Sequence, residues 1–356
     1  MRAQSTRGAS ATVLLAVILT VTAAGESRAQ EPYQVYQSAV AAYVKSRDIS
    51  RAVVPLQKWT GTEFDAAVKA TMASGNPNAL EAAAVFELEI GVALVGISSG
   101  VAAGHIKYGS DLLDRWTAIQ PALKPAAVED QKKFRSIWFG VAGSAFAAIK
   151  EVGFARPLLN KSLGALPRSA RAKTLLGTLK EFEASQYNPD DAPTIGIRER
   201  AHRERLLLLH QAEQEYREAL RYDENYALAH IRLGHVLHLA GKLEEARATL
   251  ERGLKIANER LTQYLGALFM GALQQEEKNV AGARRSFEQA VTLVPNSQPA
   301  VVALAYIEVM AGRPDRAHAL TRGLAQAQAT GEPWWAFHNG GLDVPGLRWL
   351  RERAMQ

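Results

Sequence analysis

One spacing limits what this chain can fold into. A small residue and an alanine stand 12 positions apart in four places: Gly143 and Ala155, Gly234 and Ala246, Gly271 and Ala283, Ala305 and Ala317. In three of the four a large apolar residue follows the alanine by four positions, as Leu159, Leu250 and Phe287. Between these points apolar residues recur every three to four positions, the period of a helix. No run of alternating β-branched residues bounded by hairpin turns interrupts them. The chain therefore reads as all-α, built of helices that come in pairs. Ala246 and Gly253 share one helix face where a core-facing helix usually carries large side chains, and that smallness needs an explanation.

Helices are expected over Tyr33–Ser46, Arg51–Trp59, Glu63–Ala73, Asn78–Gly96, Val101–Trp116, Val128–Glu151, Ala155–Leu166, Ala170–Ser185 and Ile197–Tyr222, then in pairs to Ala327. Breaks are expected at Gly75-Asn76-Pro77, at Gln120–Pro125 and at Tyr187–Gly196, all of turn composition. The apolar stretch around Val85–Val101 carries Glu87 and Glu89 and is not expected to cross a membrane.

Around the small residues the pattern is fuller. His230-x2-Leu233-Gly234-x2-Leu237 leads to Ala246-x3-Leu250. Ala267-x2-Met270-Gly271 leads to Ala283-x3-Phe287 and Pro295. Val301-x2-Leu304-Ala305 leads to Ala317, and upstream Phe139-x2-Ala142-Gly143-x2-Phe146 leads to Ala155-x3-Leu159 and Pro167. Leu176-Gly177 meets its partner Ala212-x3-Tyr216 late, because about 23 residues are inserted in that unit. From Ser136 onward the chain resembles the tetratricopeptide repeat family in five units, one interrupted. The family's tryptophan is replaced by Phe139, His230, Ala267 and Val301, and Thr321 stands where the last unit's large residue belongs. Before Ser136, Ile90-Gly91 with Ala103 echoes the spacing weakly.

The resemblance implies a right-handed superhelical α-solenoid of antiparallel helix pairs. It also explains the small residues: two helices cross closely at Gly234, Ala246 and Gly253, while Leu233, Leu237 and Leu250 fill around the contact. Arg247 is expected to face away. No pair buries enough surface alone, so units stack in series.

The expected organisation is a leader over residues 1–29, a helical region over 30–135, repeats over 136–331 with an insertion near 186–197, and a tail over 332–356. Arg2 and Arg7, the apolar run Ala11–Ala24 and Ser27-Arg28-Ala29 read as an export signal cleaved after Ala29, which implies a periplasmic or secreted protein. An uncleaved anchor is the alternative, and that segment is the only expected membrane contact. The chain has no cysteine, which excludes disulfides, thiolate metal sites and a cysteine nucleophile. A formal net charge of +6 over 356 residues is mild, so nucleic acid is not an expected partner. The densest basic run, Arg198–Arg205, is interleaved with Glu199 and Glu204 and reads as a solvated helix face.

In the family, residues on the first helix of each pair line a concave face that binds peptides. That implies partner binding at Arg232, His235, His238 and Leu239, at Leu265, Leu268, Phe269 and Gln275, and at Val302, Tyr306 and Met310. The alternative is that these side chains pack on neighbouring helices. Lysine and asparagine, which grip a C-terminal carboxylate in part of the family, are absent from these positions. The expected partner is an apolar or amphipathic peptide or protein, or a second copy of the chain. Of His230, His235 and His238 only the last two share a helix face, so a metal site is not expected. Asp190 and Asp191 are adjacent and cannot converge on a substrate from opposite sides; they read as a turn. No phosphate loop, H-E-x-x-H or G-x-S-x-G motif occurs, and neither a catalytic residue nor a cofactor is expected. Trp334, Trp335 and Trp349 in the tail admit two readings, a cell-envelope glycan platform or, for Trp349 with Leu347 and Leu350, a helix begun by Asp343 and Pro345 that covers the open end of the repeat stack.

Overall fold

The computed structural model describes residues 32–119, 125–191, 193–295, 297–326 and 343–354. The expected leader and Trp334 and Trp335 lie outside the described residues. The chain forms two compact units, residues 1–166 with 342–356 and residues 167–341. In the first are α1 (Pro32–Ser46), α2 (Ile49–Ala52), α3 (Gly61–Ser74), α4 (Pro77–Leu94), α5 (Ser99–Ala118), α6 (Pro125–Ala148) and α7 (Val152–Ala165). In the second are α8 (Ala170–Ser185), α9 (Ile195–Tyr222), α10 (Ala227–Leu239), α11 (Leu243–Ile256), α12 (Arg260–Glu276), α13 (Val280–Leu293), α14 (Gln298–Met310) and α15 (Pro314–Gln326). A last helix, α16 (Val344–Arg353), belongs to the first unit. Among the described residues every regular element is helical, and no helix is long and apolar enough to cross a membrane.

Local chemistry sets the ends. Gly75 leaves α3 with φ +64°, Asn76 accepts hydrogen bonds from the Asn78 and Ala79 backbone N–H groups, and Pro77 opens α4 where a missing N–H is harmless. The helix expected over Arg51–Trp59 is instead split: Pro55 holds a short 3-10 turn, Val54–Leu56, after the single turn of α2. Asp190 and Asp191 lie in a turn ordered by Asn188, and it is Thr194 that caps α9 by accepting from Ile197 N–H. Arg198, Arg200 and Arg203 are exposed, as a solvated face requires.

Consecutive helices pack as pairs, α4 with α5, α6 with α7, α8 with α9, α10 with α11, α12 with α13 and α14 with α15. At five of these six crossings a glycine is the contact, and Ala305 takes its place in the last. A Cβ on Gly234 would lie 2.6 Å from Leu250 Cγ and 3.2 Å from the Ala246 carbonyl, and one on Gly143 would lie 2.7 Å from Leu159 Cδ2 and 3.2 Å from the Ala155 carbonyl. Phe287 and Tyr216 play the leucine's part against Gly271 and Gly177. Gly253 continues the close approach, its Cβ position 2.7 Å from Ile231 Cδ1. The weaker upstream unit obeys the same rule with one residue fewer: Gly91 faces Ile106 and the carbonyl of Ala102, which is fully buried, while Ala103 is only half-buried.

Seven residues after Gly143, Gly234, Gly271 and Ala305 the chain turns in a left-handed conformation: Lys150 (φ 71°), Gly241 (φ 77°), Lys278 (φ 61°) and Gly312 (φ 72°). This frees the chain to reverse between the two helices of a pair, at a cost where the residue is lysine. Arg247 does not face away; its guanidinium pairs with Glu277, just past the end of α12. In the last pair Thr321 is exposed where Leu250 and Phe287 fill the other crossings.

The first unit buries charge. Glu87 is fully enclosed and accepts from Tyr36 Oη (2.6 Å) and lies 2.6 Å from His105 Nδ1, and the Trp138 indole N–H donates to the Ala84 carbonyl at 2.9 Å. Glu89, 2% exposed, accepts from Tyr43 Oη at 3.0 Å and from Arg351 of α16. The two glutamates that break the apolar run are therefore interior anchors. The helix expected to cover the open end of the repeats forms, begun by Asp343 accepting from Gly346 N–H, but it packs on α6 of the first unit. Its arginines find carboxylates there, which no surface periodicity announces.

Candidate partner-binding site

The first helices α8, α10 and α12 of successive pairs lie side by side in the second unit, and four of the residues expected to face a partner are tied together across them. Glu181 of α8, 7% exposed, accepts from Tyr216 Oη at 2.7 Å and from the Arg232 guanidinium at 3.3 Å, and it lies 2.6 Å from His235 Nδ1. The His235 ring stacks on Phe269 of α12 with centroids 3.7 Å apart and planes 14° from parallel, and the Arg232 guanidinium sits 6.0 Å from the same ring. One turn along, His238 Nε2 lies 2.6 Å from Glu276. Burial alone would raise the Glu181 carboxyl; the Arg232 guanidinium first, and then the His235 imidazole and the hydrogen bonds, outweigh it and bring it down to about 2. Burial lowers His235, against the pull of Glu181. Glu181 is therefore ionised and balanced by Arg232, with His235 Nδ1 within hydrogen-bonding distance.

This ladder changes which surface is open. Arg232 (3% exposed), Leu265 (3%), Leu268 (5%) and Phe269 (1%) are enclosed by this chain's own helices, so the alternative of packing holds for these side chains in the structure. Leu265 and Leu268 join the core of the unit. His235 and His238 are half-buried, and Leu239 likewise. Gln275 is exposed. His230, in the place of the family's aromatic, points inward and its Nε2 is 2.9 Å from the Glu224 carbonyl. The three histidines thus serve three different partners, and among the described residues no group of three or more metal-ligating side chains converges.

On α14 the situation reverses. Val302 (49% exposed), Tyr306 (49%), Val309 (54%) and Met310 (61%) stand at positions i, i+4, i+7 and i+8, one face of one helix. Val309 was missed in the sequence, although its i+7 place beside Val302 marked it. At the back of this helix Glu308, 1% exposed, is met by Arg284 Nε at 2.8 Å, Arg313 Nε at 2.5 Å and Arg316 Nε at 3.9 Å, which fixes α14 on α13 and on the turn into α15. A wider hollow of about 760 Å³ lies elsewhere, lined by Gln214, Arg217, Glu218, Leu220, Arg221 and Leu233. It is an open trough edged by ion-paired arginines.

Stacked antiparallel helix pairs with close small-residue crossings define a repeat protein of the α-solenoid class. Residues 209–268 and 274–339 match the model of the Tetratricopeptide repeat family. No curated protein matches the sequence. Among solved structures the chain is similar to PilF of Pseudomonas aeruginosa, at 18% identity over 64% of this chain and 90% of that one with a TM-score of 0.44. It is also similar to a thermophilic TPR protein of Thermus thermophilus, at 20% identity over 63% and 97% with a TM-score of 0.39. Yeast Tom70 is similar at 12% identity over 97% and 69% with a TM-score of 0.45.

Proposed function

We propose that this protein is an exported scaffold that holds a peptide or protein partner against the exposed face of α14. The repeats make it a protein-interaction module; the observation that carries the location is the row of Val302, Tyr306, Val309 and Met310. Four large apolar side chains, each about half exposed or more, occupy the face that in α10 and α12 is filled by the Glu181–Arg232–His235–Phe269 ladder. Single exposed apolar residues are ordinary, but an aligned row on a rigid helix is the surface that an amphipathic helix or an extended apolar peptide covers. Export rests on the leader pattern of residues 1–29.

The test replaces Tyr306 and Met310 together with serine in full-length protein purified from the cell envelope. Co-purifying proteins should fall away while the thermal unfolding of the chain stays within a few degrees of the wild type. Retention of the same partners at full yield would remove α14 as the site.

A further inference from the structure

The open face of α14 has a counterpart inside the repeat unit that shows what it is shaped to meet. Counted back by the repeat spacing, from Val301 through Ala267 to His230, the positions of Val302, Tyr306, Val309 and Met310 fall on Ile231, His235, His238 and Leu239 of α10. The first three of those touch the next first helix, α12. A Cβ on Gly266 would lie 2.8 Å from Ile231 Cδ1, the His235 ring stacks on Phe269, and His238 Nε2 lies 2.6 Å from Glu276. These positions are the stacking face of a repeat, on which one pair receives the first helix of another. In α14 the same face is exposed among the described residues, with Tyr306 and Val309 where α10 carries imidazoles.

The chemistry of α14 restricts what can complete the stack. Across Gln298–Met310 the only charged side chain is Glu308, which is 1% exposed and held at the back by Arg284 and Arg313. The open face therefore gives an acidic or basic partner nothing to pair with. It calls for a helix whose own face is uncharged and carries large and small apolar residues in complementary order, and α14 is such a helix. Set antiparallel across a two-fold axis at Tyr306, two copies bring Val302 of one against Val309 of the other on one flank. On the other flank Met310 of one meets the half-buried Ala303 of the other, large against small. Glu308 stays at the rear in both copies, so no like charges meet. We propose that α14 is the contact of a symmetric dimer of this chain, each copy supplying the helix that continues the other's repeat stack. This rests on α14 being the partner surface and names its occupant.

The chain contains no cysteine, so a single introduced one can crosslink only to its own counterpart in a second copy. Full-length Tyr306→Cys, oxidised in dilute solution, should run as a disulfide-linked dimer on a non-reducing gel, because the two-fold axis brings the pair within disulfide reach. Ala248→Cys, exposed on α11, should stay monomeric. A contact of one helix per copy is a small interface, below ~1,200 Å², so in sedimentation velocity the wild type should pass from monomer to dimer between ~1 and ~100 μM. Tyr306→Lys and Tyr306→Glu, each with wild-type circular dichroism, should each remain monomeric over that range. Mixed in equal amounts they should associate at least tenfold more tightly than either alone, since lysine then faces glutamate across the axis.

A Tyr306→Cys chain that does not crosslink, a wild type still monomeric at the highest concentration, or a lysine–glutamate mixture no tighter than its components overturns the proposal. So does a disulfide formed within one chain between Tyr306→Cys and Trp335→Cys, which would give the face to the chain's own residues 327–342. Each of these outcomes removes the second copy while leaving α14 open to a different protein. Loss of α14 as the partner surface is read separately, from unchanged partner capture by the serine variant at positions 306 and 310.

Discussion

Replacing Gly234 with alanine sets two effects of known sign against each other. In a helix interior alanine is favoured over glycine by about 1 kcal/mol. Against this, the new Cβ would fall 2.6 Å from Leu250 Cγ, 2.9 Å from its Cδ2 and 3.2 Å from the Ala246 carbonyl oxygen. Leu250 is fully buried and meets the intruding carbon at its branch point, and the carbonyl is backbone, so relief requires α10 and α11 to separate. Overpacking of that kind costs ~1 to 3 kcal/mol, and the net change is a loss of ~0 to 2 kcal/mol. Gly323 isolates the propensity term, for it sits in α15 with nothing within 4 Å of its Cβ position. Gly323→Ala should gain up to ~1 kcal/mol. Both sites lie in the unit spanning residues 167–341, so the two variants report on the same unfolding event. Their difference of ~1 to 3 kcal/mol corresponds to ~2 to 12 °C in melting temperature for a unit of this size. Urea and thermal unfolding of both variants beside the wild type measures it. A Gly234→Ala protein stabilised as much as Gly323→Ala would refute the close crossing.

Other substitutions follow the same geometry. Lys278→Gly should stabilise by ~0.5 to 1 kcal/mol in urea melts, because lysine pays for a left-handed φ of 61°. Ala246→Leu should unfold many degrees below Ala248→Leu, since the first alanine is fully buried and the second exposed on the same helix; equal melting would undo the register. Phe269→Ala should lose ~3 to 5 kcal/mol and Tyr306→Ala less than ~1 kcal/mol, as their burial dictates. Glu181 gives a pH signature. Its folded value of about 2 lies below the unfolded value of 4.5. Its stabilisation, ~3 kcal/mol by linkage, is therefore complete above pH 4.5 and lost as pH falls towards 2. The stability gap between wild type and Glu181→Gln should narrow over that window, and a gap constant from pH 6 to pH 2.5 would contradict the assignment.

The pair architecture was legible because a crossing of two helices cannot hide its requirement: Gly143, Gly234 and Gly271 each need a large residue 16 positions on, and the chain supplies Leu159, Leu250 and Phe287. The 23-residue insertion was legible by the same count, since Tyr216 fills the place opposite Gly177. Which face stays open was not. Arg232, His235 and Phe269 look like a polar and aromatic lining at their repeat positions, and only the three-dimensional neighbour Glu181, 51 residues before Arg232, turns them inward. The docking of α16 was equally hidden, because Glu89 and Arg351 are 262 residues apart and no local period connects them. Periodicity records what a helix meets in its own pair; it does not record a counter-charge supplied from a distant helix.

The central claim is that α14 presents the partner surface of the repeat unit. Its most direct test is site-specific photo-crosslinking in the producing cell, with a benzoylphenylalanine at Tyr306 in one strain and at exposed Ala248 of α11 in another. The account predicts a discrete protein adduct from position 306, carrying one identity by mass spectrometry, and none from position 248. Adducts of the same identity and yield from both positions, or adducts from position 248 alone, would contradict it.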